Sequence, residues 1–197
     1  KRTYNFYNQG MTKAGLYWTV NAQKDKMKDY KDGHGNYTRN MIDSESYGVK
    51  IGQKFGDKAD INFSYSKYKL DYGRPETSSD MMGPTIFTGG MTYGSKNNTK
   101  YAVSFNYKFN DKLNNSLSFF SRTSDLDDDT NHPATLWLMR EKTWGFSDQL
   151  TYADGNHTIV GGYDYYKDAM NKYQDQYTPN MTGTVDNKAF FIEDKMK

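Results

Sequence analysis

The segment Tyr101-Ala102-Val103-Ser104-Phe105-Asn106-Tyr107-Lys108-Phe109 alternates without a break between large apolar or aromatic side chains and small or polar ones. Successive side chains of a β-strand point to opposite faces, so this stretch has one aromatic and aliphatic face and one polar face. The same two-residue period returns along the chain. Leu16, Trp18, Val20 and Ala22 alternate with Tyr17, Thr19, Asn21 and Gln23, and Tyr47, Val49 and Ile51 with Gly48, Lys50 and Gly52. Ile61, Phe63 and Tyr65 follow, then Leu117 and Phe119, then Trp144, Phe146, Leu150 and Tyr152. Ile159, Gly161, Tyr163 and Tyr165 make another strand, and Phe190, Ile192 and Met196 the last. With a weaker first strand at Tyr4 to Asn8, the chain reads as nine strands.

The connections separate into two kinds. Gln9-Gly10-Met11-Thr12-Lys13, Gly56-Asp57-Lys58, Asn110-Asp111-Lys112 and Ala153-Asp154-Gly155-Asn156 are short and built from turn residues. Asn and Asp bond their own main chain and Gly supplies positive φ, so these predict hairpin turns. The stretches Lys26–Ser46, Asp71–Lys100, Ser124–Lys142 and Asp168–Lys188 are long and polar and are expected to be loops. Short and long connections alternate strictly, as the periplasmic turns and extracellular loops of an outer-membrane barrel do.

Composition agrees. Only 35% of the 197 residues are hydrophobic, 25% are charged, and mean hydropathy is −1.01. Such a chain has too little apolar material for a large conventional core. Yet 18 Tyr, 11 Phe and 3 Trp make 16% of it aromatic, which disordered chains are not. A barrel with a wet lumen resolves the conflict, because only every second strand residue meets lipid. From Tyr101 to Phe109 the chain climbs on the order of 20 Å, at roughly 3.3 Å per residue and about 40° of tilt, close to the apolar belt of such barrels. Tyr107, Phe109 and Tyr152 precede short turns, whereas Tyr47, Tyr65, Tyr101, Trp144 and Tyr165 lie towards the long connections. Aromatic rings suit both boundaries of a bilayer. The predicted class is all-β, an antiparallel up-and-down transmembrane β-barrel, of which this chain is a part.

Other classes are excluded by what their chemistry needs. No apolar run reaches the roughly 18 residues of a membrane-spanning helix, and no signal-peptide pattern opens the chain. Without Cys there is no disulfide framework, thiolate zinc site or cysteine nucleophile. A net charge of +2 without a basic stripe leaves no nucleic-acid footprint. An open sheet edge in hydrocarbon strands N–H and C=O groups, so the barrel must close. Nine is an odd count where single-chain bacterial barrels are even. The chain begins at Lys1 and stops at Lys197 without a turn, which is the expectation for a fragment of a larger barrel.

Three places carry a family likeness. His157-Thr158-Ile159-Val160-Gly161-Gly162-Tyr163-Asp164-Tyr165 resembles a mid-barrel upstrand of TonB-dependent outer-membrane receptors. Phe191-Ile192-Glu193-Asp194-Lys195-Met196-Lys197 is similar to the following downstrand, with Glu193 where that family usually has Gln and Met196 where it has Trp. The hairpin Asn8 to Asp25, with Gly15 opening its upstrand, is the third. The resemblance implies a 22-stranded barrel around an N-terminal plug, with residues 1–197 forming part of the wall at roughly strands two or three to eleven. It also implies a place in the bacterial outer membrane, a TonB complex contacted through a plug that this chain does not include, and a small scarce nutrient as cargo. That cargo would be a ferric siderophore, haem, cobalamin or a similar ligand, a metal chelate by preference. The alternatives are a passive porin-type barrel and a soluble lipocalin-like barrel with its apolar face turned inward.

No residue is assigned to a catalytic, cofactor-binding or metal site. The chain has no G-x-S-x-G, H-E-x-x-H, P-loop or G-x-G-x-x-G, and the expectation is a non-enzyme without a cofactor. Asp125-Leu126-Asp127-Asp128-Asp129 could offer hard oxygens to Ca²⁺, but it lacks the Gly and Glu of an EF-hand loop and reads as well as a solvated loop. His34, His132 and His157 have no ligand spacing. Met81, Met82, Met91, Met139, Met170 and Met181 gather near the long connections without a repeat. Tyr165, Tyr166, Tyr173 and Tyr177 could stack on an aromatic ligand or simply anchor an interface. Asn-x-Ser/Thr patterns at Asn36, Asn62 and Asn156 are products of high Asn content. Asp148 and Asp194 fall on the apolar parity, which requires a bulge, an interfacial position or a donor from a neighbouring strand.

Overall fold

The computed structural model describes residues 1–31, 33, 35, 41–74, 92–130, 137–174 and 180–196. They form one nine-stranded sheet in sequential order. The strands are β1 (Arg2–Met11), β2 (Leu16–Met27), β3 (Ile42–Phe55), β4 (Ala59–Arg74), β5 (Thr92–Lys108), β6 (Leu113–Thr130), β7 (Trp137–Asp154), β8 (His157–Gln174) and β9 (Met181–Met196). Every neighbouring pair is antiparallel, and β1 and β9 are the two free edges of the described sheet. The fold is the predicted all-β up-and-down meander, an open wall.

Register turns nine separate alternations into a single surface. Val20 faces Val49, which faces Tyr65; Ile51 faces Phe63, which faces Val103. Val103 then faces Phe119, Phe119 faces Phe146, and Phe146 faces Tyr165. A slip of one residue at any strand would reverse its faces and break this surface. The rings touch along it, with Phe119 and Phe146 at 5.9 Å between centroids and Tyr163 and Phe190 at 4.5 Å. Among the described residues no hydrophobic side chain is buried, and Tyr101, Val103 and Phe105 remain 49%, 40% and 37% exposed. The apolar face is therefore turned away from the rest of the chain, contrary to what a lipocalin-like interior would require. The buried polar residues Ser44, Asn62 and Thr143 all lie on the opposite, polar parity.

The short turns form as expected. Asn110 Oδ1 accepts hydrogen bonds from the amides of Lys112 and Leu113, both at 2.9 Å. Gly56 and Gly155 adopt φ of 60° and 51°, the left-handed conformation that their two turns need. The first turn lies slightly later than predicted. Gln9, Gly10 and Met11 belong to β1, and the chain reverses at residues 12–15, where the Gly15 amide donates to the Thr12 carbonyl at 3.0 Å.

The long connections are corrected by the structure. Much of each is strand: β4 runs to Arg74, β6 to Thr130 and β8 to Gln174, and their partners resume at Thr92, Trp137 and Met181. A transmembrane strand needs about 9–11 residues, whereas β5 has 17 and β6, β7 and β8 have 18 each. The excess extends beyond the apolar stretch. There both faces carry polar residues, so hydrophobicity loses its two-residue period although the hydrogen-bond ladder continues.

Candidate functional site

Above the row Tyr47, Tyr65, Tyr101, Trp144 and Tyr165, the outer face changes character. Tyr65 and Tyr101 pack at 5.1 Å and Trp144 and Tyr165 at 5.5 Å. Beyond them the same parity carries charge. Lys24 bridges Asp43 and Glu45, each at 2.5 Å, and Lys69 meets Asp71 at 3.1 Å. Arg140 grips both oxygens of Asp127 at 2.6 and 2.8 Å, with Asp125 at 3.7 Å from its Nε. The acidic run is thus on strand β6 rather than in a loop, and both oxygens of Asp127 accept from one guanidinium nitrogen, Arg140 Nη2, while Nη1 donates to the Leu126 and Met139 carbonyls. Among the described residues no cluster of His, Asp and Glu is arranged to hold a metal ion.

Both carboxylates on the apolar parity have found donors on adjacent strands. Asn115 Nδ2 donates to Asp148 Oδ1 at 2.6 Å and to the Gln149 carbonyl at 3.2 Å. His157 Nδ1 lies 2.9 Å from Asp194 Oδ2. No bulge is needed at Asp148; the register shift of β7 occurs farther up, between Arg140 and Glu141. His34, His132, Met81, Met82, Met91 and Tyr177 lie outside the described residues. Of the methionines that remain, Met139 faces Tyr173, which faces Met181, so the two thioethers are separated by a strand.

The inner face is a network of cross-strand polar contacts. Tyr17 on β2 reaches over β3 to donate its hydroxyl to Asp60 on β4 at 2.9 Å. The path is open because Gly52 has no side chain: a Cβ there would stand 2.2 Å from the Tyr17 ring. Farther along, Arg122 Nη2 donates to Thr143 Oγ1 at 3.3 Å, and Thr143 donates to Asp168 at 2.6 Å. Ser147 donates to Asp164 at 2.5 Å.

Between these networks lies a cleft of about 580 Å³, within the usual range for small-molecule sites. Its lining includes Ser66, Lys96, Asn98, Lys100, Arg122 and Glu141. Lys96, Asn98 and Lys100 share the polar parity of Ala102 and Ser104, and register sets Lys100 directly opposite Arg122. The Oδ1 of Asn98 is buried without a hydrogen-bond partner. The parity of these residues could have been extended upward from Ser104 in the sequence. Their meeting across strands could not.

No family model matches the sequence, and no curated protein does. Among solved structures the chain is similar to the copper transporter OprC, with TM-score 0.51 and 11% identity over 98% of this chain and 39% of that one. The chain has the fold of part of a β-barrel wall, an up-and-down antiparallel sheet that is not closed. It spans well under half the length of that transporter, and at this identity the likeness concerns architecture alone. In this sheet the apolar parity and the polar, cleft-bearing parity lie on opposite faces.

Proposed function

We propose that residues 1–197 are part of one transmembrane β-barrel domain in the outer membrane of a bacterium, whose role is transport rather than catalysis. The observation that carries this reading is the unbroken outer surface from Val20 through Val103 to Tyr165, exposed on the side away from the polar cleft. In this reading further strands pair with the edges β1 and β9, since unpaired backbone groups in hydrocarbon cost several kcal/mol each. The sequence likeness to TonB-dependent receptors supports a plug inside the complete barrel and coupling to a TonB complex. The structural likeness to a copper transporter favours a small metal-containing nutrient as cargo.

Reconstitution of the complete natural chain in vesicles of brominated phospholipid tests the membrane reading. Fluorescence of Trp18 and Trp144, both on the outer parity, is expected to be quenched by the bromines. A protein that stays monomeric in buffer without detergent, with unquenched tryptophans, would overturn it. Uptake that persists after collapse of the proton-motive force would assign the barrel to the passive porin type instead.

A further inference from the structure

We propose that the inner-face cleft binds a small dianionic solute, its carboxylate or phosphate oxygens bridging Lys100 and Arg122 with Lys96 as a third contact. The inference rests on the reading of this face as lumen.

The first ground is an unfavourable pair. Lys100 and Arg122 stand directly opposite on adjacent strands, where like charges destabilise a sheet. Neither has an ion pair among the described residues, and Lys96 has none either. Lys24, Lys69, Lys112 and Arg140, by contrast, each have an acid within salt-bridge distance. Asp168 accepts from Thr143; Glu141, opposite Ser124 and also bordering the cleft, has no ion pair among the described residues. The lining of the cleft thus carries an excess of positive charge, with Lys67, Lys96, Lys100 and Arg122 against the carboxylate of Glu141.

The second ground is the cleft. It is large enough for a small molecule, and the three cations border it together with Lys67, the hydroxyl of Ser66 and the carboxylate of Glu141. Arg122 has one terminal nitrogen on Thr143, which leaves further N–H groups of the guanidinium for a planar anion. Lys100 adds a mobile point charge beside it. An oxygen anion placed between them would relieve the repulsion and occupy the cleft. A neutral polyol would do only the second, and a cation would worsen both.

Equilibrium titration of the complete natural chain in detergent, at low ionic strength, separates these cases. The probes are succinate, inorganic phosphate, erythritol and putrescine. Binding of succinate or phosphate is expected, with none of erythritol or putrescine; which anion is tighter distinguishes a carboxylate cargo from a phosphate one. Lys100→Gln and Arg122→Gln should each weaken anion binding about tenfold, whereas Lys167→Gln, on the outer parity opposite Trp144, should change it less than twofold. Arg122→Glu should abolish anion binding and admit putrescine. Heat-modified electrophoretic mobility checks that each variant is folded. Equal binding of putrescine and succinate, no anion binding, or an equal effect of Lys167→Gln would overturn the proposal. Bromine quenching of the same protein reconstituted in the brominated vesicles tells the two failures apart: quenched tryptophans without anion binding sink only this inference.

Discussion

The lower and upper parts of these strands share one ladder and obey opposite patterns. Below the row of Tyr47, Tyr101 and Trp144, β5 alternates Val103 and Phe105 outward with Ser104 and Asn106 inward. Above it, β5 carries Asn97 and Thr99 on the outer parity and Lys96, Asn98 and Lys100 on the inner. Backbone pairing does not change at the boundary; the chemistry of the outer face does. In the apolar part a polar outer residue has a donor at hand, as Asp148 has Asn115. In the charged part, ion pairs such as Arg140–Asp127 replace ring contacts.

The sharpest way to break this contrast is to move a charge across the boundary. Val103→Arg, mid-belt on the outer face, should cost roughly 2–4 kcal/mol in urea unfolding from lipid vesicles, and Thr99→Arg on the same parity about 0–1 kcal/mol. Equal costs would mean that no hydrocarbon lies against Val103. Next in size is the Asp148 pair. Asn115→Leu leaves a carboxylate without its donor on the apolar face and should destabilise by about 1–3 kcal/mol. Replacing both residues by Leu should restore most of it; a double variant as unstable as the single one would show that Asp148 is satisfied elsewhere.

Gly52→Ala tests the inner face of the lower region. Its methyl group would displace the Tyr17 ring and break the bond to Asp60, a loss of about 1 kcal/mol. Tyr17→Phe should match it without a steric component. In the upper region Asp127→Asn should cost at most about 1 kcal/mol and less in high salt, because the pair is partly exposed. The smallest effect belongs to the turns. Lys108 holds the Asp111 carboxyl below the ordinary carboxylate value, and Asp154 holds the Lys112 ammonium above the ordinary lysine value. The Asp111 contribution is present above its unfolded value and fades as pH falls through the lowered folded one. The Lys112 contribution is present below its unfolded value and fades as pH rises through the raised folded one. NMR titration of Asp111 and Lys112 should show these displacements, and unshifted titration would remove both pairs.

The strand count, the short turns and the identity of the outward rings were legible in the sequence because each rests on neighbours a few residues apart. Asn110 caps its own turn, and Phe105 shares a face with Val103 by the pleat alone. The extensions of β4 to β9 were not legible, since polar residues on both faces erase the pattern from which a strand is read. Nor were the contacts that make the candidate site. Tyr17 meets Asp60 across Gly52, Asn115 meets Asp148, and Lys100 meets Arg122 only once register is fixed. Local order determined which way each side chain points; pairing between distant strands decided which side chains meet, because one residue of slip would exchange every partner and both faces.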